Sequence, residues 1–162
     1  MGENGVEWAK FVQSELDHEY ARRNAADARA AATVTGSTGL ATVVLAVIVI
    51  LKGKDYAPSG VAAVALIFAL LSLLSAALLG VCAGWSRRIR VTEIEMLRKL
   101  SKKKNWERNE EYNRRDIVSW NADTIDSLRS GTCKKYRLLF FSAVAQLCAV
   151  VALAIFSIVA MR

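Results

Sequence analysis

Gly60-Val-Ala-Ala-Val-Ala-Leu-Ile-Phe-Ala-Leu-Leu-Ser-Leu-Leu-Ser-Ala-Ala-Leu-Leu-Gly-Val-Cys-Ala-Gly-Trp85 is a run of 26 residues without a charge. At ~1.5 Å rise per residue, a helix of that length outreaches the ~30 Å hydrocarbon layer of a bilayer. Upstream, Thr33 to Leu51 supplies 19 uncharged residues, roughly 28 Å of helix. Downstream, Leu138 to Met161 supplies 24, with Ser142, Gln146 and Ser157 as its clearly polar members. The break Lys52-Gly-Lys-Asp-Tyr-Ala-Pro-Ser59 is short enough to join the first two as a hairpin. A soluble fold with three buried helices is the poorer reading, because 162 residues offer too little polar sequence to wrap them.

Composition agrees. Apolar residues make up 54 % of the chain and charged ones 23 %, with a positive mean hydropathy. Both values are high together only if the two kinds of residue are segregated along the sequence. We therefore expect an all-α integral membrane protein with transmembrane helices at 33–51, 60–85 and 138–161. Residues 1–32 are read as a cytoplasmic amphipathic helix continuous with the first span, 52–59 as an external turn and 86–137 as a basic cytoplasmic helical segment. The first apolar run follows more than 30 residues of charged sequence, so no cleaved signal peptide is expected. Val6 stands where the myristoylation pattern needs Ser or Thr.

Orientation follows from the basic residues. Four of the 22 lie in 1–32, two in 52–59, fifteen in 86–137 and one at Arg162. The positive-inside rule places 86–137 in the cytoplasm, with the N-terminus inside and the C-terminus outside an inner membrane. The net charge of +7 resides in that one segment, because its fifteen basic residues meet eight acidic ones.

The polar segments carry helical periodicity. Trp8, Phe11 or Val12, Leu16 and Tyr20 form one stripe, and Glu19 to Arg23 and Arg23 to Asp27 are i,i+4 pairs. With no breaker before the first span, one helix is expected from about Val6 to Leu51. Ile94, Leu97 and Leu100 extend the second span, Lys102-Lys-Lys-Asn105 interrupts it, and Ile117, Trp120, Ile125 and Leu128 mark a second helix that Ser130-Gly131 ends. A helical hairpin below the bilayer is expected, with the wet end of the first helix packed on it.

Three sets of residues are candidates for function. Ser72, Ala76, Gly80 and Gly84 repeat every four positions and offer a smooth ridge for helix packing, within the protomer or between protomers of a homo-oligomer. Thr35, Thr38 and Thr42 share a face that, with Gln146, is a candidate polar lining; helix-internal hydrogen bonding is the competing explanation. Lys102, Lys103, Lys104, Lys134, Lys135 and Arg137 are candidates for contact with anionic lipid headgroups or a cytoplasmic protein partner. No nucleic-acid signature accompanies the basic charge.

Neither catalysis nor a cofactor is expected. His18 is the only histidine, so Glu15-x-x-His18 is half of a metal motif, and Cys82, Cys133 and Cys148 lack ligand spacing. The spans hold no ionisable group for proton transport and no nucleophile elbow or phosphate-binding loop occurs.

Two stretches carry a resemblance. Glu15-Leu-Asp-His-Glu-Tyr-Ala-Arg-Arg-Asn-Ala-Ala-Asp-Ala-Arg-Ala-Ala-Ala-Thr-Val-Thr35, running into the first span, and Asp126-Ser-Leu-Arg-Ser-Gly-Thr-Cys-Lys-Lys-Tyr-Arg137 look like small actinobacterial and phage-borne membrane proteins of the plasmid-transfer type. The layout is also similar to the SLATT and Pycsar membrane effectors of bacterial conflict systems. That resemblance implies an amphipathic helix, a membrane hairpin and cytoplasmic helices, with membrane disruption after a nucleotide or other trigger. A third span and the lack of a fused nucleotide-sensing domain depart from the pattern. The function expected is that of a defence effector acting by self-association and membrane perturbation. The alternative is a non-pore phage-exclusion or plasmid-transfer accessory factor that recruits a partner.

Overall fold

In a computed structural model, residues 3–53, 60–85 and 110–160 are described, and they are almost entirely helical. The elements are α1 (Glu3–Lys52), α2 (Gly60–Gly84) and α3 (Glu110–Ala160). All three are long and apolar enough to cross a membrane. Because α1 contains no proline and is rich in alanine between Ala25 and Ala32, it runs unbroken from polar into apolar sequence, as expected. Gly53 stops it: at φ 83° the residue leaves the helical region, and its N–H donates to the Val49 carbonyl at 3.1 Å.

α3 corrects the expected helix end at Ser130-Gly131, since the helix passes through both. A C-terminal cap needs a residue in the left-handed region, and Gly131 is not among the glycines with positive φ. A glycine inside a helix costs about 1 kcal/mol relative to alanine. Full burial of the Leu128 side chain, worth about 1.5–3 kcal/mol, outweighs that cost. The expected first arm of the cytoplasmic hairpin, and Lys102, Lys103 and Lys104 with it, lie outside the described residues.

The chain divides into two compact units, Met1–Ala25 with Ser86–Cys133 and Ala26–Trp85 with Lys134–Arg162. In the second unit the interior is built from small side chains. Ala62, Ala65, Ala69, Leu73, Ala76, Gly80 and Ala83 are the buried residues of α2, and Ala26, Ala30 and Ser37 of α1 and Ser142, Ala149 and Ala152 of α3 are buried as well. Large apolar side chains face outward, among them Ile50, Phe68, Leu78, Leu147 and Ile158. Water penalises such a surface and lipid tails do not, so close backbone packing inside and Leu, Ile and Phe outside is the arrangement a bilayer favours. Toward one end Ala62, Ala65 and Phe156 form a cluster with Ile48, Leu66 and Val159.

The first unit has a different interior. Ile125 and Leu128 of α3 are buried as their stripe predicts, and Trp120 is half-buried, while Ile117 is exposed. On α1, Val12, Leu16 and Tyr20 are half-buried, but Trp8 and Phe11 are exposed and pack edge to face on each other, ring centroids 6.4 Å apart. The contacts between α1 and α3 here are polar, from Gln13 to Asn121 and from Glu15 and Glu19 to Arg129.

Candidate functional site

Of the predicted ridge, Ala76 and Gly80 are buried, Ser72 is half-buried and Gly84 is exposed. Steps of four residues advance about 40° round a helix each time. The four positions therefore drift off the packed face, whereas the buried residues of α2, spaced three or four apart, stay on it. The ridge is used inside the chain: a Cβ on Gly80 would stand 2.9 Å from Val34 Cγ2 and 3.3 Å from the Ala30 carbonyl oxygen. Gly84 is less crowded, its nearest neighbour being Ala30 Cβ at 3.7 Å. Beside it Ser142 of α3 donates to the Ala76 carbonyl at 2.7 Å, in a fully buried contact. Gly80 thus packs on α1 and Ala76 on α3 within the chain.

The candidate polar lining separates in the same way. Thr38 donates to the Val34 carbonyl at 2.9 Å and Thr42 to that of Thr38 at 3.0 Å, so both hydroxyls are bound by their own helix. Thr35, Thr38 and Thr42 are exposed on α1. Gln146 does not join them: its Nε2 donates to Ser37 Oγ at 2.8 Å and to the Thr33 carbonyl at 3.3 Å. The residue that sequence spacing missed is Ser37, buried one α1 face away from the threonines. It stands seven residues after Ala30, which is also buried.

Among the juxtamembrane cations, Lys134 and Arg137 are exposed as lipid or partner contact requires. Lys135 is not: its side chain is 3 % exposed and paired with Asp27. A buried ammonium needs a carboxylate, and Asp27 supplies it from α1. Neighbouring Tyr136 lies under the Arg29 guanidinium, 5.8 Å from ring centroid to Cζ. Arg29, Thr33 and Gly36 of α1 with Tyr136, Phe140 and Gln146 of α3 line a groove of about 700 Å³.

In the first unit the focus is Glu19, a carboxylate with 3 % side-chain exposure. Its Oε1 accepts from Arg22 at 3.0 Å and from Arg129 at 2.8 Å, and Arg129 also reaches Glu15 at 2.8 Å. Glu19 Oε2 is buried without a partner among the described residues. The hydrogen bond to Glu19, reinforced by the charges of Glu19 and Glu15, raises the Arg129 pKa above its ordinary value. His18 is exposed on α1, and Cys82, Cys133 and Cys148 are free and exposed thiols.

No family model, curated protein or solved structure matches the chain.

Proposed function

We propose that the protein is a multi-pass inner-membrane effector of a bacterial or phage conflict system, which perturbs the bilayer when its polar helical unit meets its trigger. The observation that supports this reading is that α1 and α3 each belong to both compact units. A polar unit to meet a trigger and an apolar one to act on the bilayer, both built on the same helices, is what a triggered membrane protein requires. The resemblance in layout to membrane effectors supports the same reading. Fifteen of 22 basic residues in 86–137 support an orientation with that segment and the N-terminus inside and the C-terminus outside.

A second reading is favoured by a specific observation. Gly80 and Gln146, the residues best suited to protomer contact and pore lining, are engaged within the chain. A non-pore accessory protein that recruits a partner through its basic cytoplasmic segment needs neither. Expression at low level, challenge with a phage panel and simultaneous recording of survival and uptake of a membrane-impermeant dye separate the two. Protection with dye uptake supports the effector, protection with an intact membrane supports recruitment for phage exclusion, and no protection overturns the effector and leaves the plasmid-transfer form of the second reading.

A further inference from the structure

The groove between α1 and α3 has two chemically distinct ends. Arg29 precedes the uncharged run that begins at Ala30, and Tyr136 stands two residues before the uncharged run that begins at Leu138. Both therefore sit at the depth where these helices leave the hydrocarbon for the headgroup layer, the level at which arginine and tyrosine concentrate. Beyond them the walls become mainly apolar, with Ala32, Leu139, Phe140 and Ala143, and the two polar side chains there are satisfied within the chain, Thr33 by the Arg29 carbonyl and Gln146 by Ser37 and the Thr33 carbonyl. Gly36, about 10 Å further along α1 by helix rise, leaves open space where a side chain would be, since a Cβ built there meets nothing within 4 Å.

The groove carries a cation held on an aromatic ring rather than on a carboxylate. Arg22, Arg114, Arg129 and Lys135 are each paired with a carboxylate. Arg29 is held over an aromatic ring instead, with no carboxylate partner among the described residues and no acidic side chain lining the groove. A guanidinium placed over a ring keeps N–H donors for an anion, and its planar fork matches a phosphate. A cation at the headgroup level above an apolar channel is complementary to one kind of molecule, an amphiphile with an anionic phosphate and a hydrocarbon chain.

We infer that the groove holds a net-anionic glycerophospholipid, its phosphate on Arg29 and one acyl chain laid along Gly36 between α1 and α3. Tyr136 positions the guanidinium, and the exposed cations Lys134 and Arg137 add a positive potential that prefers an anionic headgroup over a zwitterionic one. The inference does not depend on effector activity, because a recruiting protein would hold the same lipid.

The test uses the full chain in detergent, mixed with equal amounts of dioleoyl phosphatidylglycerol and dioleoyl phosphatidylcholine, with bound lipid counted by native mass spectrometry. The expected result is retention of one phosphatidylglycerol with at least a several-fold preference. Arg29→Gln abolishes the preference, Arg29→Lys restores part of it, and Gly36→Leu removes retention of both lipids. Helix content by circular dichroism checks each variant, and if Arg29→Gln does not fold, Arg29→Lys and Gly36→Leu decide. Equal retention of the two lipids by the parent chain overturns the inference, as does an unchanged preference in Arg29→Gln. Conversion of a dimer to a monomer by Gly36→Leu without change in bound lipid also overturns it, assigning the groove to a second copy of the chain.

Discussion

The missing side chain of Gly80 is what lets Val34 approach α2, because a Cβ there would lie 2.9 Å from Val34 Cγ2. Gly80→Ala forces Val34 and, at 3.3 Å, the Ala30 carbonyl to give way, at about 1–3 kcal/mol for an overpacked contact. Gly84→Ala, with 3.7 Å to its neighbour, is expected to be near-neutral. Unfolding in mixed detergent micelles measures both, and Val34→Ala should relieve Gly80→Ala. Gly80→Leu consequently reports on folding of the chain rather than on association of protomers.

Lys135 and Asp27 are unequal partners, with side-chain exposures of 3 % and 39 %. Asp27→Asn leaves the buried ammonium without its carboxylate, a loss on the order of 3 kcal/mol. Lys135→Met leaves a carboxylate that water can reach and should cost clearly less. Stability of the two single variants and of the double variant gives the coupling, and equal costs would show that Lys135 reaches water.

Gln146→Leu removes a hydrogen bond within the chain, worth about 0.6 kcal/mol on average between membrane helices. Stability should change little and dye uptake, where it occurs, should not change at all. An altered rate of uptake in this variant would place Gln146 on the path of the dye.

Arg129→Gln deprives the buried Glu19 carboxylate of one of its two donors and deprives Glu15 of the same partner. A lower melting temperature of the helical signal is expected, with Arg129→Lys intermediate because it keeps the charge but not the fork. A raised arginine pKa means that its contribution is present below the unfolded value and is lost only as pH rises through the folded one. Arg129 therefore adds no pH dependence to stability between about pH 5 and 10. Comparing parent and Arg129→Gln across that range should show parallel curves on its alkaline side.

Ala25→Pro tests the role of continuity in α1. Ala25 is exposed, so the change touches no packed face, but proline removes a helix hydrogen bond and kinks the axis at about 3 kcal/mol. An effector that relies on a stiff α1 should lose protection while remaining in the membrane. Retained protection would show that the two units act without a continuous helix.

Much of this was legible before any coordinates. The three helices end within a residue of where the uncharged runs end, while α1 and α3 begin far upstream in polar sequence. The continuity of α1 follows from the lack of a breaker. The end expected at Gly131 failed because a glycine ends a helix only when the chain beyond it gains by turning away, and the buried face carrying Leu128 continues through Thr132 instead.

Length, charge segregation and local periodicity therefore determined three membrane-length helices, their hairpin spacing and the concentration of positive charge in 86–137, because each depends on neighbours along the chain. Which small residues face one another, which hydroxyl Gln146 binds, which carboxylate holds Lys135 and which arginine lies over Tyr136 were decided only by the tertiary structure. Those contacts join residues about 45 to 115 positions apart. Their partners are selected by helix rotation and approach, which no local pattern specifies.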